Sequence, residues 1–316
     1  MKSFVYRISY IVCGILFAAS LTSSSFLHAA EMDRGVQDLL EKLHDKDVYV
    51  RVDAAYTLGL TKAKDALYSL KEAAKEGDPR VRMIAIGAIR MIDGKASTAF
   101  LLEMARDRDA DVRRKAINEL ETLKEPQAKP GLIEMLRDED ISVRVVAVEA
   151  LRALNDKELI PVFLGSIKDR NSKVRAASAN ALGELKDKSA TEALIGVVND
   201  PFTTVRREAV RALRKIADKR AVPKLVRRLR DNDDKVRKLA FQALEELADS
   251  SNTIDLGKNL RSGKWFSRFY VAKLLGNMKD EKAVWYLESA LRREQNKVVK
   301  KAMRESLDKL NQEIAR

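Results

Sequence analysis

Asp107, Asp109 and Asp111 alternate as the first ligands of a calcium loop do. Such a loop needs glycine at its sixth position and glutamate at its twelfth, where this chain has Val112 and Asn118. The three aspartates therefore read as a turn that caps the start of a helix. His44 stands beside Asp45, but the only other histidine is His28 and the only cysteine is Cys13. That inventory leaves almost nothing from which to build a zinc centre, a Cys–His nucleophile or a Ser–His–Asp triad. No glycine-rich loop could cradle a phosphate. No catalytic, metal-binding or cofactor-binding residue is assigned, and no cofactor is expected. The chemistry that remains is charge. Arg207, Arg211 and Arg214 are spaced by four and three residues, which places them on one helix face as a cationic stripe able to meet carboxylates or phosphates.

The elements that carry this stripe follow from a period of 31 residues. Val50-Arg51 recurs as Val81-Arg82, Val112-Arg113, Val143-Arg144, Val174-Arg175, Val205-Arg206 and Val236-Arg237. An eighth copy reads Ser267-Arg268 and a ninth, one residue late, Val299-Lys300. Four residues after each valine stand Ala54, Ala85, Ala116, Ala147, Ser178, Ala209 and Ala240. Eight residues after it stand Leu58, Ile89, Leu120, Leu151, Leu182, Leu213 and Leu244. Spacings of four and eight define one buried helix face, and the small central residue lets a neighbouring helix approach. A second amphipathic segment precedes each valine, with Pro130, Pro161 and Pro223 at one phase within it. Each unit is thus helix A, a turn, helix B and a short link, and nine units fill residues 31–316. Composition agrees: aromatics are 6%, sparse for a β protein, and 34% charged residues with 46% hydrophobic ones exclude both wholesale disorder and a polytopic membrane protein.

This pattern resembles HEAT repeats, in particular the short variety named after phycobilisome lyases, on the proline of helix A, the acid in the turn and the Val-Arg that opens helix B. The turn acids are Asp45, Glu76, Asp107, Asp138, Asp169, Asp200 and Asp231; the eighth copy has Ser262 instead. The resemblance implies an all-α, right-handed α-solenoid of about nine helix pairs, with the acids and the Val-Arg arginines forming a ladder between repeats. It implies that helix B lines the concave surface. The positions two, six and nine residues after each valine would then face solvent, as Arg207, Arg211 and Arg214 do in the sixth copy and Gly59, Gly183 and Gly276 do in others. Deoxyhypusine hydroxylase is similar in its repeats, but its di-iron site depends on His-Glu pairs and no His-Glu dipeptide occurs here. Phycobilin lyases share the repeats too. Both remain the enzymatic alternative to a non-catalytic scaffold.

Residues 1–30 have the parts of a secretory signal peptide: Lys2 and Arg7, an apolar run from Ile8 to Leu21 holding Cys13, and a small-residue end at Ala29-Ala30. Export to the periplasm is expected, with an N-terminal membrane anchor as the alternative; residues 31–316 form the solenoid. The charge is polarised. Residues 205–238 hold 14 Lys+Arg against 5 Asp+Glu, whereas residues 31–78 hold 8 against 11. Six aromatics, including both tryptophans, cluster in Trp265, Phe266, Phe269, Tyr270, Trp285 and Tyr286. The sequence thus predicts an exported scaffold that captures an acidic protein or segment on its concave face. Arg207, Arg211, Arg214 and Lys238 would supply charge, and Phe269 and Tyr270 apolar anchorage. An anionic envelope polymer or nucleic acid is the alternative ligand, the latter disfavoured by export.

Overall fold

The computed structural model describes residues 34–314, so the segment read as a signal peptide lies outside the described residues. Among the described residues the chain is helical throughout, with no strand and no helix long and apolar enough to cross a membrane. The 31-residue period becomes nine helix pairs. They are α1 (34–42) with α2 (Val48–Leu60), α3 (Leu67–Ala73) with α4 (Pro79–Asp93), and α5 (Thr98–Met104) with α6 (Ala110–Leu123). Next come α7 (Lys129–Met135) with α8 (Ile141–Ala153), α9 (Ile160–Ser166) with α10 (Ser172–Leu185), and α11 (Thr191–Val197) with α12 (Thr203–Ile216). The last are α13 (Val222–Arg228) with α14 (Asp234–Leu247), α15 (Thr253–Asn259) with α16 (Trp265–Gly276), and α17 (Glu281–Leu291) with α18 (Lys297–Ile314). The first three pairs belong to one compact unit and the last six to another, divided between Ala128 and Lys129.

Local sequence explains where each helix starts. Asp47, Asp78, Asp109, Asp140, Asn171 and Asp233 sit at the N-cap of their helix B and accept hydrogen bonds from its first free N–H groups. Each such cap is worth about 1 kcal/mol. The sixth and eighth copies have Phe202 and Lys264 there, without a side-chain cap. Pro161 and Pro223 lie in the first turn of α9 and α13, where a missing N–H costs nothing, so they start helices rather than bend them. The valine, alanine and leucine columns are the core: Val81, Val112, Val143, Val174, Val205 and Val236 are fully buried.

The ladder implied by the repeat pattern is present. In the second unit Arg144 grips Asp169, Arg175 grips Asp200 and Arg206 grips Asp231, each through Nε and Nη2 at 2.7–3.2 Å. The remaining nitrogen, Nη1, donates to two carbonyls of the arginine's own turn, as Arg144 does to Asp138 and Glu139. Every rung thus ties one repeat's turn to the next repeat's acid. In the first unit Arg82 holds Asp107 in the same way, while Arg51 reaches Glu76 through Nη2 alone. In the ninth copy the extra residue moves the acid to Glu294, which takes both Nε and Nη2 of Arg268.

The stripe expected to face solvent is interrupted at its ninth position in the copies that carry glycine there. Gly59, Gly183 and Gly276 are buried at helix contacts: a Cβ on Gly183 would lie 2.7 Å from the backbone of Ala212, and one on Gly276 2.7 Å from Ser306. The absent side chain is what lets α10 approach α12 and α16 approach α18.

Candidate functional site

Helix α12 carries the predicted arginine stripe, and the structure brings Arg207, Arg211, Arg214 and Lys238 together on α12 and α14. Each holds a carboxylate. Arg207 makes a two-pronged pair with Asp233 at 3.0 and 2.6 Å, and Arg214 reaches Glu246 and the Gln242 amide oxygen. Arg211 pairs with Glu208 one turn back, and Lys238 with Asp234 at 2.7 Å. The guanidinium of Arg207 holds the Asp233 carboxyl well below its ordinary range, at about 2. The stripe is therefore a band of partly exposed ion pairs of small net charge: Arg207 and Arg214 stitch the sixth repeat to the seventh, while Arg211 and Lys238 pair within their own helices. Two of those acids were visible in the sequence: Asp233 and Glu246 stand 26 and 32 residues after the arginines they hold, close to one period on.

The aromatic cluster divides in two. Phe269 and Tyr270 are half-buried: the Tyr270 ring lies 5.0 Å from Phe241 and 5.4 Å from Phe269, and burial pushes its hydroxyl pKa up. Lys273 sits over the Phe269 ring at 4.9 Å. The Tyr270 ring fills space between α14 and α16, with Phe269 against its edge. The exposed aromatics are instead Trp265, at 47%, and Trp285, at 61%.

Among the described residues, cations with no carboxylate partner lie elsewhere, at the turns between helices A and B. Arg227, Arg230 and Lys264 line a groove of about 620 Å³. Arg230 donates to the Asn259 amide oxygen at 2.6 Å, and Lys264 to the Asn232 amide oxygen at 2.7 Å. The acids of this groove are already engaged: Asp200 by Arg175, and Asp231 by Arg206 and Arg228. Burial works against ionisation of Asp231, but Arg206, the Asp233 N–H and Arg228 outweigh it and hold the carboxyl low. Two of the three cations, Arg227 and Arg230, contribute to the excess in residues 205–238, yet they escaped a reading confined to helix B because they sit at the end of helix A and in the turn beyond it.

The spaced aspartates behave as a turn and a cap. Asp107 receives Arg82 and the Asp109 N–H, Asp109 accepts from the N–H groups of Asp111 and Val112, and Asp111 pairs with Arg114 at 2.8 Å. Among the described residues no group of three or more His, Cys, Asp or Glu side chains is arranged to hold a metal ion.

Comparison with known proteins agrees with this architecture. A model of HEAT repeats matches residues 36–121, 98–170, 160–245 and 229–308. No curated protein matches the chain. Among solved structures, Kap95p in its complex with RanGDP is similar over 93% of this chain and 48% of its own, with 16% identity and a TM-score of 0.65. The chain thus spans about half the length of Kap95p. Escherichia coli YibA is 21% identical, covering 87% of this chain and 92% of its own at a TM-score of 0.50. The CpcE–CpcF phycocyanin lyase complex of Nostoc sp. PCC7120 is also 21% identical, covering 67% and 94% at a TM-score of 0.45.

Proposed function

The chain belongs to the HEAT-repeat family, and from that premise we propose that it is a non-catalytic, exported scaffold that captures an acidic segment of a partner protein. The observation that carries this reading is the groove of Arg227, Arg230 and Lys264, in which Arg230 and Lys264 are answered by asparagine amides and, among the described residues, none of the three is paired with a carboxylate. Ion pairing inside a protein offsets a cation's field, whereas cations not paired with a carboxylate keep more of their attraction for an incoming anion, and the nearby Asp200, Asp231 and Asp255 are held by other cations. The helical-repeat scaffold supplies a rigid array on which neighbouring repeats present such groups together. Export supports a protein partner over nucleic acid, and it rests on the basic, apolar and small-residue sections of residues 1–30.

Two measurements test this. Residues 1–30 fused to a reporter active only outside the cytoplasm should export it, and a silent reporter would end the export reading. Immobilised full-length chain should recover a discrete acidic protein from an envelope fraction, released by about 0.5 M salt, at which charge attraction is strongly screened. The Arg227→Glu/Arg230→Glu variant should lose it. Equal recovery by the folded variant, or salt-independent recovery, would sink the electrostatic reading.

A further inference from the structure

The last two repeats expose both tryptophans of the chain beside arginines that the fold does not use. Trp265 lines a groove of about 740 Å³ with Arg261 and Arg293, over buried Leu260 and the closed Arg268–Glu294 pair. Trp285 lines an adjoining groove with Glu288, Arg292 and the same Arg293. Among the described residues Arg293 donates only to Ser289 of α17, through Nε to the carbonyl at 3.3 Å and Nη2 to the hydroxyl at 3.1 Å. Among the described residues Arg261 and Arg292 have no side-chain partner. Glu288 is the single acid of these grooves that the fold does not engage, so three cations face one anion.

Packing does not account for the tryptophans. The eighth repeat lacks its core valine and its turn acid, and bulk is needed there; Phe266 supplies it, half-buried with Arg237 4.1 Å above its ring. Tyr286 likewise packs against Gly257, where any Cβ would strike its ring. Trp265 and Trp285 stand on these two rings in edge-to-face contact at 5.9 and 4.9 Å. Each indole is thus positioned by a neighbour that the fold itself holds, while much of its own surface stays in water. Leaving large aromatic surface exposed forgoes burial energy, and rigid aromatics beside arginine are the groups that dominate binding hot spots.

We propose that this two-tryptophan, three-arginine surface binds an extended acidic segment that carries a bulky apolar or aromatic residue. The acids meet Arg261, Arg292 and Arg293, and the apolar side chain stacks on Trp265. A concave groove fits a chain better than a planar lipid surface, and the excess of cations selects an anionic one. The inference rests on the reading of the protein as an acid-capturing scaffold and places the anchoring contact in the terminal repeats.

Because the chain has two tryptophans, its indole emission reports this surface alone. Full-length protein is titrated with a synthetic Asp/Glu-rich peptide bearing one phenylalanine, with its Asn/Gln counterpart, and with phosphatidylglycerol vesicles. The expected result is a saturable emission change with the acidic peptide only, weakened roughly tenfold or more in Arg261→Glu/Arg293→Glu, the size of a lost charge pair. Trp265→Phe, read by anisotropy of a labelled peptide, should weaken it as well, with circular dichroism confirming the fold of both variants. Acidic-peptide binding that survives these variants but is lost in Arg227→Glu/Arg230→Glu would overturn this inference and leave the scaffold reading standing. No binding of the acidic peptide to wild type would overturn both. A response to vesicles with none to the peptide would overturn the inference in favour of a lipid surface.

Discussion

The seam between the sixth and seventh repeats and the seam between the seventh and eighth are built from the same arginine in two different ways. At the first, Arg206 uses Nε and Nη2 on Asp231, which also takes Arg228 and the Asp233 N–H. At the second, Arg237 keeps the two carbonyl contacts of its own turn, but the acid it would meet is Ser262. Its Nη2 turns back to Asp234, its Nε is buried without a hydrogen-bond partner, and its plane lies over Phe266. Ser267 Oγ, in the valine position of the eighth copy, is also buried without one. A repeat array therefore does not need every rung. A cation over an aromatic face, worth about 0.5–2 kcal/mol, replaces one ion pair, but it leaves a polar atom unsatisfied where the carboxylate would have served it.

Acid should separate the two seams most strongly. Asp233 and Asp218 titrate at about 2 in the folded protein because Arg207 and Arg220, respectively, hold them, against an ordinary value of 3.8. Their folded pKa is depressed, so their contribution is fully present above about pH 4 and is lost as pH falls through about 2. Hydrogen exchange between pH 5 and 2.5 should show α12 losing protection over this window, while the Arg237–Phe266 contact, with no carboxylate of the ladder, changes least. Equal loss at both seams would mean that the rungs do not set local stability.

Asp231→Ala is the next largest effect. It leaves Arg206 and Arg228 without their buried acid and should cost about 3–5 kcal/mol in chemical denaturation. A cost below about 1 kcal/mol, typical of an exposed pair, would show that the rungs are register marks only. The smallest effect is the informative gain. Ser262→Asp places a carboxylate where the other seams have one and should stabilise the protein by up to about 1 kcal/mol by meeting Arg237 Nε. Destabilisation would mean that Phe266 has closed the space the acid needs.

Much of the fold was legible in the residues. The valine, alanine and leucine columns named the buried face of helix B, the acid and arginine columns named the rungs, and the nine helix pairs follow the 31-residue period through the degenerate eighth copy. Less of the candidate surface was. Arg207, Arg211 and Arg214 do share one face, but whether Arg207 or Arg214 is available depends on what stands one repeat away. Asp233 and Glu246 arrive there only when α14 packs beside α12. Phe269 and Tyr270 were expected outside and lie half-buried, while Trp265 and Trp285, in the same short cluster, stay in water. One-dimensional spacing tells which side of a helix a residue occupies, but not how much of that side the next helix covers.

The sequence by itself determined the repeat length, the helix starts, the core columns and the residues able to form rungs, because each depends on neighbours within one helix or one period. Only the tertiary structure decided which cations are consumed and which remain, since burial and ion pairing are properties of the packed repeats. The packing of α14 beside α12 brings an acid to Arg207, whereas among the described residues none pairs with Arg227 or Arg261.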